Sequence, residues 1–280
     1  MSNTSHQAVI HPSSVVEEGA RLGAGVRIGP FCHIGPDVVL GANVELISHV
    51  SVQGHTDIGP GTTVWPQVTL GAQPQNFKHT GKHTELTIGA NCVLREGMTA
   101  HVGSDTGHGK TVIGDDCYLM AYCHVAHDCV LGDHVVMANG ATLAGHCEVG
   151  DYATISGLTA VHQFVRIGHH AFIGGCTALI GDVIPYGLAQ GNKANLHGFN
   201  IIGMKRSGMA RSQIVEMRKA YRMLFDRARP IIENAPAVRT EFADNETVIE
   251  IVDFLTERGK RSYCVPKLGG SADGDDGNND

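Results

Sequence analysis

Nowhere in this 280-residue chain do eighteen apolar residues run together, and no basic segment followed by an apolar stretch opens it. Neither a membrane-spanning helix nor a secretory leader is therefore expected. Aromatic residues are scarce too, at 5% with one tryptophan, too few for a core built around large rings. The eight cysteines, at 32, 92, 117, 123, 129, 147, 176 and 264, could suggest a disulfide framework or a metal site, but none forms a C-x-x-C pair. They read as small, half-buried strand residues in a reducing compartment, and the chain as cytoplasmic, with no membrane insertion and no nucleic-acid partner expected.

What the chain does have is a period. Every sixth residue from Ile10 is apolar: Ile10, Val16, Leu22, Ile28, Ile34, Leu40, Leu46, Val52, Ile58, Val64 and Leu70. With 42% apolar residues, eleven such hits in a row have a chance probability of about one in ten thousand. A second unbroken run follows at Ile113, Leu119, Val125, Leu131, Met137, Leu143, Val149, Ile155, Val161, Ile167, Ile173 and Leu179, with Ile88, Leu94 and Ala100 between the two. A hexapeptide period is the mark of a parallel β-helix, each repeat giving a short strand and a corner. One apolar side chain per repeat then fills the bore, and the many glycines just after it are expected where the backbone turns tightly, often with positive φ. If three hexapeptides close a coil, residues 18 apart stack on one another.

Two interruptions are legible. Phe77, Lys78, His79 and Lys82 do not read as strand, and Gly103–Lys110 is Gly-rich, polar and out of phase, so a loop is expected at each. After Pro185 the period changes: Ile214, Met217, Tyr221, Leu224 and Phe225 lie on one face of a helix, Pro230 interrupts, and Val248, Ile249, Ile251, Val252 and Leu255 suggest another. The expected domains are a β-helix over 1–190, a small α-helical domain over 191–268 and a disordered acidic tail over 269–280. Residues 193–230 carry nine Lys or Arg against Glu216 and Asp226, a balance of +7 inside a chain of net charge −7. Such a surface is either a solvated helix face or a dock for an acidic partner or anionic substrate.

Seventeen histidines are present, and His101, His124, His127, His146 and His162 lie in segments with few other ionisable groups. Imidazoles of ordinary pKa, about 6.5, serve general acid–base chemistry at neutral pH. Three of them with an open fourth position equally serve zinc.

The segments His124-Val-Ala-His127-Asp128-Cys129, Ala141-Thr-Leu-Ala-Gly145-His146, Thr159-Ala-Val-His162-Gln163-Phe164, Ala189-Gln-Gly191-Asn192 and Asn200-Ile-Ile-Gly-Met-Lys205-Arg206 occur in that order. Together they resemble the acyl carrier protein:UDP-N-acetylglucosamine O-acyltransferase family, which begins lipid A synthesis. The resemblance runs from about His11-Pro12 into the C-terminal helices. It implies a left-handed β-helix that assembles as a homotrimer with sites in the clefts between subunits, and no cofactor or metal. His127 matches the general base and Gly145 the backbone oxyanion donor; they are 18 residues apart, so the stacking rule places one over the other. Lys78, His101, His146, His162 and Gln163 match positions that hold the nucleotide sugar or acyl group. Asn200 and Arg206 match positions at the uridine diphosphate end, Gly175 matches the acyl-chain ruler, and the basic helix at Arg218 and Arg222 would meet the acidic carrier protein.

Three positions depart from the family pattern. Asn76 replaces an Asp beside the base, so the orienting charge would have to come from Asp128 or the backbone. Ile202 and Lys193 replace a Glu and a His near the nucleotide and acyl chain. Gly175 leaves the hydrocarbon groove open, so 3-hydroxyacyl chains of about fourteen carbons are expected. Two alternatives remain: N-acylation of a UDP-3-amino sugar, in enzymes expected to carry an extra domain ahead of the repeat, and a trimeric zinc hydratase of the carbonic anhydrase type, which needs three imidazoles converging across the subunit interface.

Overall fold

A computed structural model of the chain describes residues 7–257 and 259–267, so the expected acidic tail lies outside the described residues. Most hexapeptides give a two-residue strand, such as Val15–Val16 or Thr142–Leu143, and a corner. Successive strands fall on three faces in turn. The first has eleven strands beginning with Val9–Ile10, the second nine beginning with Val15–Val16, and the third eight beginning with Arg21–Leu22. Neighbours are parallel and 18 residues apart, as in Val9↔Arg27, His124↔Thr142 and Thr154↔Phe172. The backbone is satisfied between coils rather than within them: Val130 N–H donates to Cys147 O at 2.9 Å and Gly132 N–H to Val149 O at 2.8 Å.

Both loops occur where expected, the first at residues that do not read as strand and the second at the phase slip. Thr63 pairs with Val93, 30 residues on, and Thr99 with His124, 25 residues on, so the coils carry twelve and seven extra residues. Neither insertion disturbs the pairing above it.

The bore is filled differently from the expectation. Every hexapeptide of the central coils sends in two side chains, the periodic residue and the one two places before it, as in Cys129 with Leu131 and Ala141 with Leu143. Cys117, Cys123, Cys129 and Cys147 sit in this second set at 0–1% exposure, fully buried rather than half-buried, and all eight cysteines are free. Small side chains, Cys, Ala, Val and Thr, recur there, while Leu86 and Met98 fill the same position in the coils that carry the loops.

The glycine expectation is also corrected. Of the glycines that follow a periodic residue only Gly71 has positive φ; the left-handed residues stand two places later, as Asp128 (φ 60), His146 (φ 63) and Phe164 (φ 65) do. Their N–H groups tie the coils, His146 to His127 O at 3.0 Å and Phe164 to Gly145 O at 3.1 Å, which offsets the roughly 1–2 kcal/mol cost of that conformation. The glycines answer to proximity instead. At the corner after the third face they stack coil on coil, and a Cβ on Gly59 would lie 2.4 Å from the carbonyl carbon of Gly89.

At the C-terminal end the strands Gly187–Gln190 and Asn195–Phe199 form an antiparallel hairpin that closes the first face, and the division expected at 190 falls within it. Four helices follow: α1 (Ile201–Arg206), α2 (Arg211–Leu224), α3 (Ile231–Glu241) and α4 (Glu246–Thr256). Helix α2 buries Ile214, Met217, Tyr221 and Leu224, and α4 buries Val248, Ile251, Val252 and Leu255, close to the expected faces. Helix α3 was not anticipated, since Pro236 lies inside it and Pro230, read as a break, is its N-cap.

Proximity rather than φ predicts that Gly59→Ala destabilises the fold by about 1–3 kcal/mol. Gly175→Ala, whose Cβ would meet nothing nearer than 3.4 Å, should stay within about 0.5 kcal/mol of wild type in thermal or urea unfolding. Equal losses at both positions would contradict this reading.

Candidate active site

The corner after the second face collects His101, His127, His146 and His162. Ala100, Val125, Leu143 and Val161 are the periodic core residues of this face in four consecutive coils, and His101, His127, Gly145, His146, His162 and Gln163 follow them within three positions. His124 precedes Val125 on the strand and points outward beside them. Coil stacking thus brings together residues spread over more than sixty positions of chain.

His127 Nδ1 lies 2.7 Å from Asp128 Oδ2, and the Asp128 side chain is fully buried. A carboxylate only accepts, so in the neutral ring Nδ1 carries the proton and Nε2 presents its lone pair. Burial works against the Asp128 charge, but hydrogen bonds from His127, Ser104 N–H (3.1 Å) and Gly109 N–H (3.0 Å) prevail and hold its pKa below the ordinary carboxylate value. Thr111 Oγ1 accepts from the Asp128 N–H at 2.9 Å. The backbone at Asp128 is left-handed, and its carboxylate meets the Nδ1 edge of the His127 ring.

Gly145 stands one coil above. A Cβ there would lie 2.6 Å from His127 Cε1 and 2.8 Å from Nε2, so only glycine leaves room for the imidazole. Among the described residues, nothing accepts from the Gly145 N–H. A lone-pair nitrogen and a free amide donor therefore share one small space.

The surrounding imidazoles are kept neutral. Burial, then His101 and His127, pulls His124 down to about 4, and its Nδ1 is 2.8 Å from Thr99 Oγ1. Burial and then His127 lower His101, whose Nδ1 is the one buried side-chain nitrogen or oxygen without a partner among the described residues. His146 is lowered chiefly by burial, although Asp128 Oδ2 stands 3.8 Å from its Nδ1 and pulls the other way; its ring stacks on Phe164 at 4.4 Å. His127, Asp128 and His146 place three donor atoms within 4.8 Å of one another. Within one chain that set is two imidazoles and a carboxylate already holding two backbone N–H groups.

Both loops fold onto this corner. Asn76 Nδ2 donates to Ser104 Oγ at 2.9 Å and Thr106 Oγ1 at 3.1 Å, while its Oδ1 accepts from Lys78 N–H. Asn76 therefore tethers the first loop to the second, and Ser104 passes the tether to Asp128. The negative charge beside the base comes from Asp128. Lys78 is exposed on the same loop.

Other predicted residues lie elsewhere in the chain. Gly175 is on the corner after the first face, following the strand Phe172–Ile173. Asn200 caps α1, accepting from Gly203 N–H and donating to His170 O; Ile202 and Arg206 are exposed on α1, and Lys193 in the hairpin turn. Arg218 and Arg222 are exposed on α2. Sequence reasoning missed the grip of loop two on Asp128, and it missed Arg261, which reaches His162 from 99 residues away. No local pattern signals either contact.

Residues 182–264 match the family model described as Udp N-acetylglucosamine O-acyltransferase, Domain 2, and residues 19–46 and 110–145 match the bacterial transferase hexapeptide model. The acyl-[acyl-carrier-protein]--UDP-N-acetylglucosamine O-acyltransferase of Mesorhizobium japonicum is 59% identical over 95% of this chain and 95% of its own. The protein of that name from Bartonella bacilliformis is 55% identical over 92% and 94%. A crystal structure of a UDP-N-acetylglucosamine acyltransferase superposes with a TM-score of 0.89 at 42% identity, covering 92% of this chain and 99% of that one. The parallel coil is accordingly the left-handed β-helix of these enzymes. With its hexapeptide repeat and its C-terminal segment matched by family models, and with relatives 55% and 59% identical over 92% and 95% of its length, the chain belongs to the UDP-N-acetylglucosamine O-acyltransferase family.

Proposed function

We propose that this enzyme transfers an (R)-3-hydroxyacyl group from acyl carrier protein to the 3-oxygen of UDP-N-acetylglucosamine, with His127 as general base. The observation that carries this reading is the stack of Gly145 on His127, with Asp128 at Nδ1 of the ring. His127 Nε2 takes the proton of the sugar hydroxyl as that oxygen attacks the thioester carbonyl. The Gly145 N–H receives the developing oxyanion, and the buried Asp128 carboxylate stabilises the imidazolium. Collapse breaks the carbon–sulfur bond, and the departing thiolate recovers the proton from Nε2.

Asn76, Lys78, His101, His146, His162 and Gln163 surround the reacting groups in one subunit. In a homotrimer, a neighbour would bring Asn200, Arg206 and the Gly175 groove to the same cleft, since within one chain those residues sit on other corners. Helix α2, with Arg211, Arg218, Lys219 and Arg222 exposed, is the dock for the acidic carrier protein, and Lys219 is partly spoken for by Glu241. Among the described residues no helix is long and apolar enough to cross a membrane, which agrees with water-borne substrates.

Replacing His127 by Ala should lower turnover by about 10²–10⁴-fold while light scattering still finds a trimer; wild-type turnover would remove the mechanism. Gly175 should make a tetradecanoyl carrier-protein thioester a better donor than a decanoyl one in kcat/KM, and the reverse order would show that another residue sets the length. His124 supplies a pH prediction. Its folded value of about 4 lies below the unfolded value of about 6.5, so the unfolded chain binds a proton that the folded one refuses. That stability is complete above about pH 6.5 and is lost as the pH falls toward about 4, whereas the Asp128 contribution survives until still lower pH. The melting temperature of His124→Asn should therefore fall less steeply than that of wild type between about pH 6.5 and 4.5, and parallel curves would contradict the assignment.

A further inference from the structure

The C-terminal segment returns to the catalytic corner and is fastened there. Asp182, fully buried, receives Arg166 Nε at 2.8 Å and Arg166 N–H at 2.9 Å, and its own backbone brackets the segment: its N–H donates to Ser262 O at 2.8 Å, and its carbonyl accepts from Cys264 N–H at 2.7 Å. Arg166 also reaches Phe254 O and lies over the Phe254 ring at 4.4 Å. Between these anchors Arg261 Nη2 lies 2.6 Å from His162 Nδ1, and Arg261 Nε donates to Gln163 O at 2.8 Å. Lys260 Nζ stands 4.1 Å over the ring of Phe164, which stacks on His146.

His162 Nδ1 faces two partners, the Arg261 guanidinium at 2.6 Å, which only donates, and Gln163 O at 3.3 Å, which only accepts; the shorter, charge-assisted contact governs, because Arg261 Nε already serves that carbonyl at 2.8 Å. Nδ1 must hold a lone pair, the ring is neutral, and the proton is on Nε2. The second Arg261 bond, to the adjacent carbonyl, fixes the guanidinium plane and the corner together.

We propose that Arg261 is a positioning residue that holds His162 as a neutral Nε2–H donor, one coil beyond Gly145, to meet an acceptor oxygen of the bound substrate. The inference rests on the acyltransferase reading for the identity of that substrate, and on Arg261 alone for the tautomer. The C-terminal segment is thereby part of the site. Lys260 adds to the same end: a cation over Phe164 discourages protonation of the stacked His146.

Two measurements on the full-length protein separate the possibilities. Nitrogen-15 spectra of imidazole-labelled protein without substrate, with the His162 signal identified by its absence from His162→Gln, should show a single neutral ring protonated on Nε2 at neutral pH. In Arg261→Met, that ring should become a mixture of tautomers. A His162 protonated on Nδ1, or on both nitrogens, in the wild type would overturn the proposal whatever the enzyme transfers. In steady-state kinetics Arg261→Met should lose about tenfold in kcat/KM, with Arg261→Lys recovering part of the loss because an ammonium still donates to Nδ1. A wild-type kcat/KM for Arg261→Met would also overturn it. If the wild type transfers no acyl group, the acyltransferase reading fails while the spectra still decide the tautomer.

Discussion

Hydrogen bonds between coils hold residues 18 apart in register, and nearly everything else in this molecule depends on that register. Because the bonds run along the prism rather than around it, a loop of twelve or seven extra residues enters a coil without disturbing the coil above. Chemistry accumulates on one corner for the same reason. His101, His127, Gly145 and Gln163 are remote in sequence, yet each is the first or second residue past the buried position of its own coil. A rigid backbone repeat thus preorganises the base and the oxyanion donor without help from flexible side chains.

Electrostatics at this corner follow from burial. The Asp128 carboxylate stays charged because loop two turns two backbone N–H groups toward it and His127 supplies the third bond. Around it, His101, His124 and His146 lose affinity for protons because their surroundings are dry. One charged acceptor among neutral rings leaves His127 as the imidazole best placed to carry a transient positive charge. Asn76 adds no charge to this set, and its amide serves as a strut between the loops.

The period of six made the β-helix, both loops and the start of the helical domain legible, since each is a statement about which side chains face inward. The reason for the glycines was not legible. Gly59 and its column look like turn residues in one dimension, and only the next coil reveals that a methyl group has no room. Cysteines at the second interior position were visible as a period but not as a second filling column. Helix α3 escaped notice because Pro230 and Pro236 mask it. At the site, Gly145 over His127 could be anticipated from arithmetic on 18, whereas Ser104, Gly109 and Arg261 act through contacts that no repeat encodes.

The most direct test of this account is a transfer assay with purified protein and a 3-hydroxyacyl carrier-protein thioester. UDP-N-acetylglucosamine and its 3-amino analogue would be offered separately, with products located by mass fragmentation. A base that must remove a hydroxyl proton predicts one acyl ester on the 3-oxygen of UDP-N-acetylglucosamine. Acylation of the amine with no ester formed would contradict the central claim and assign the same corner to amide synthesis.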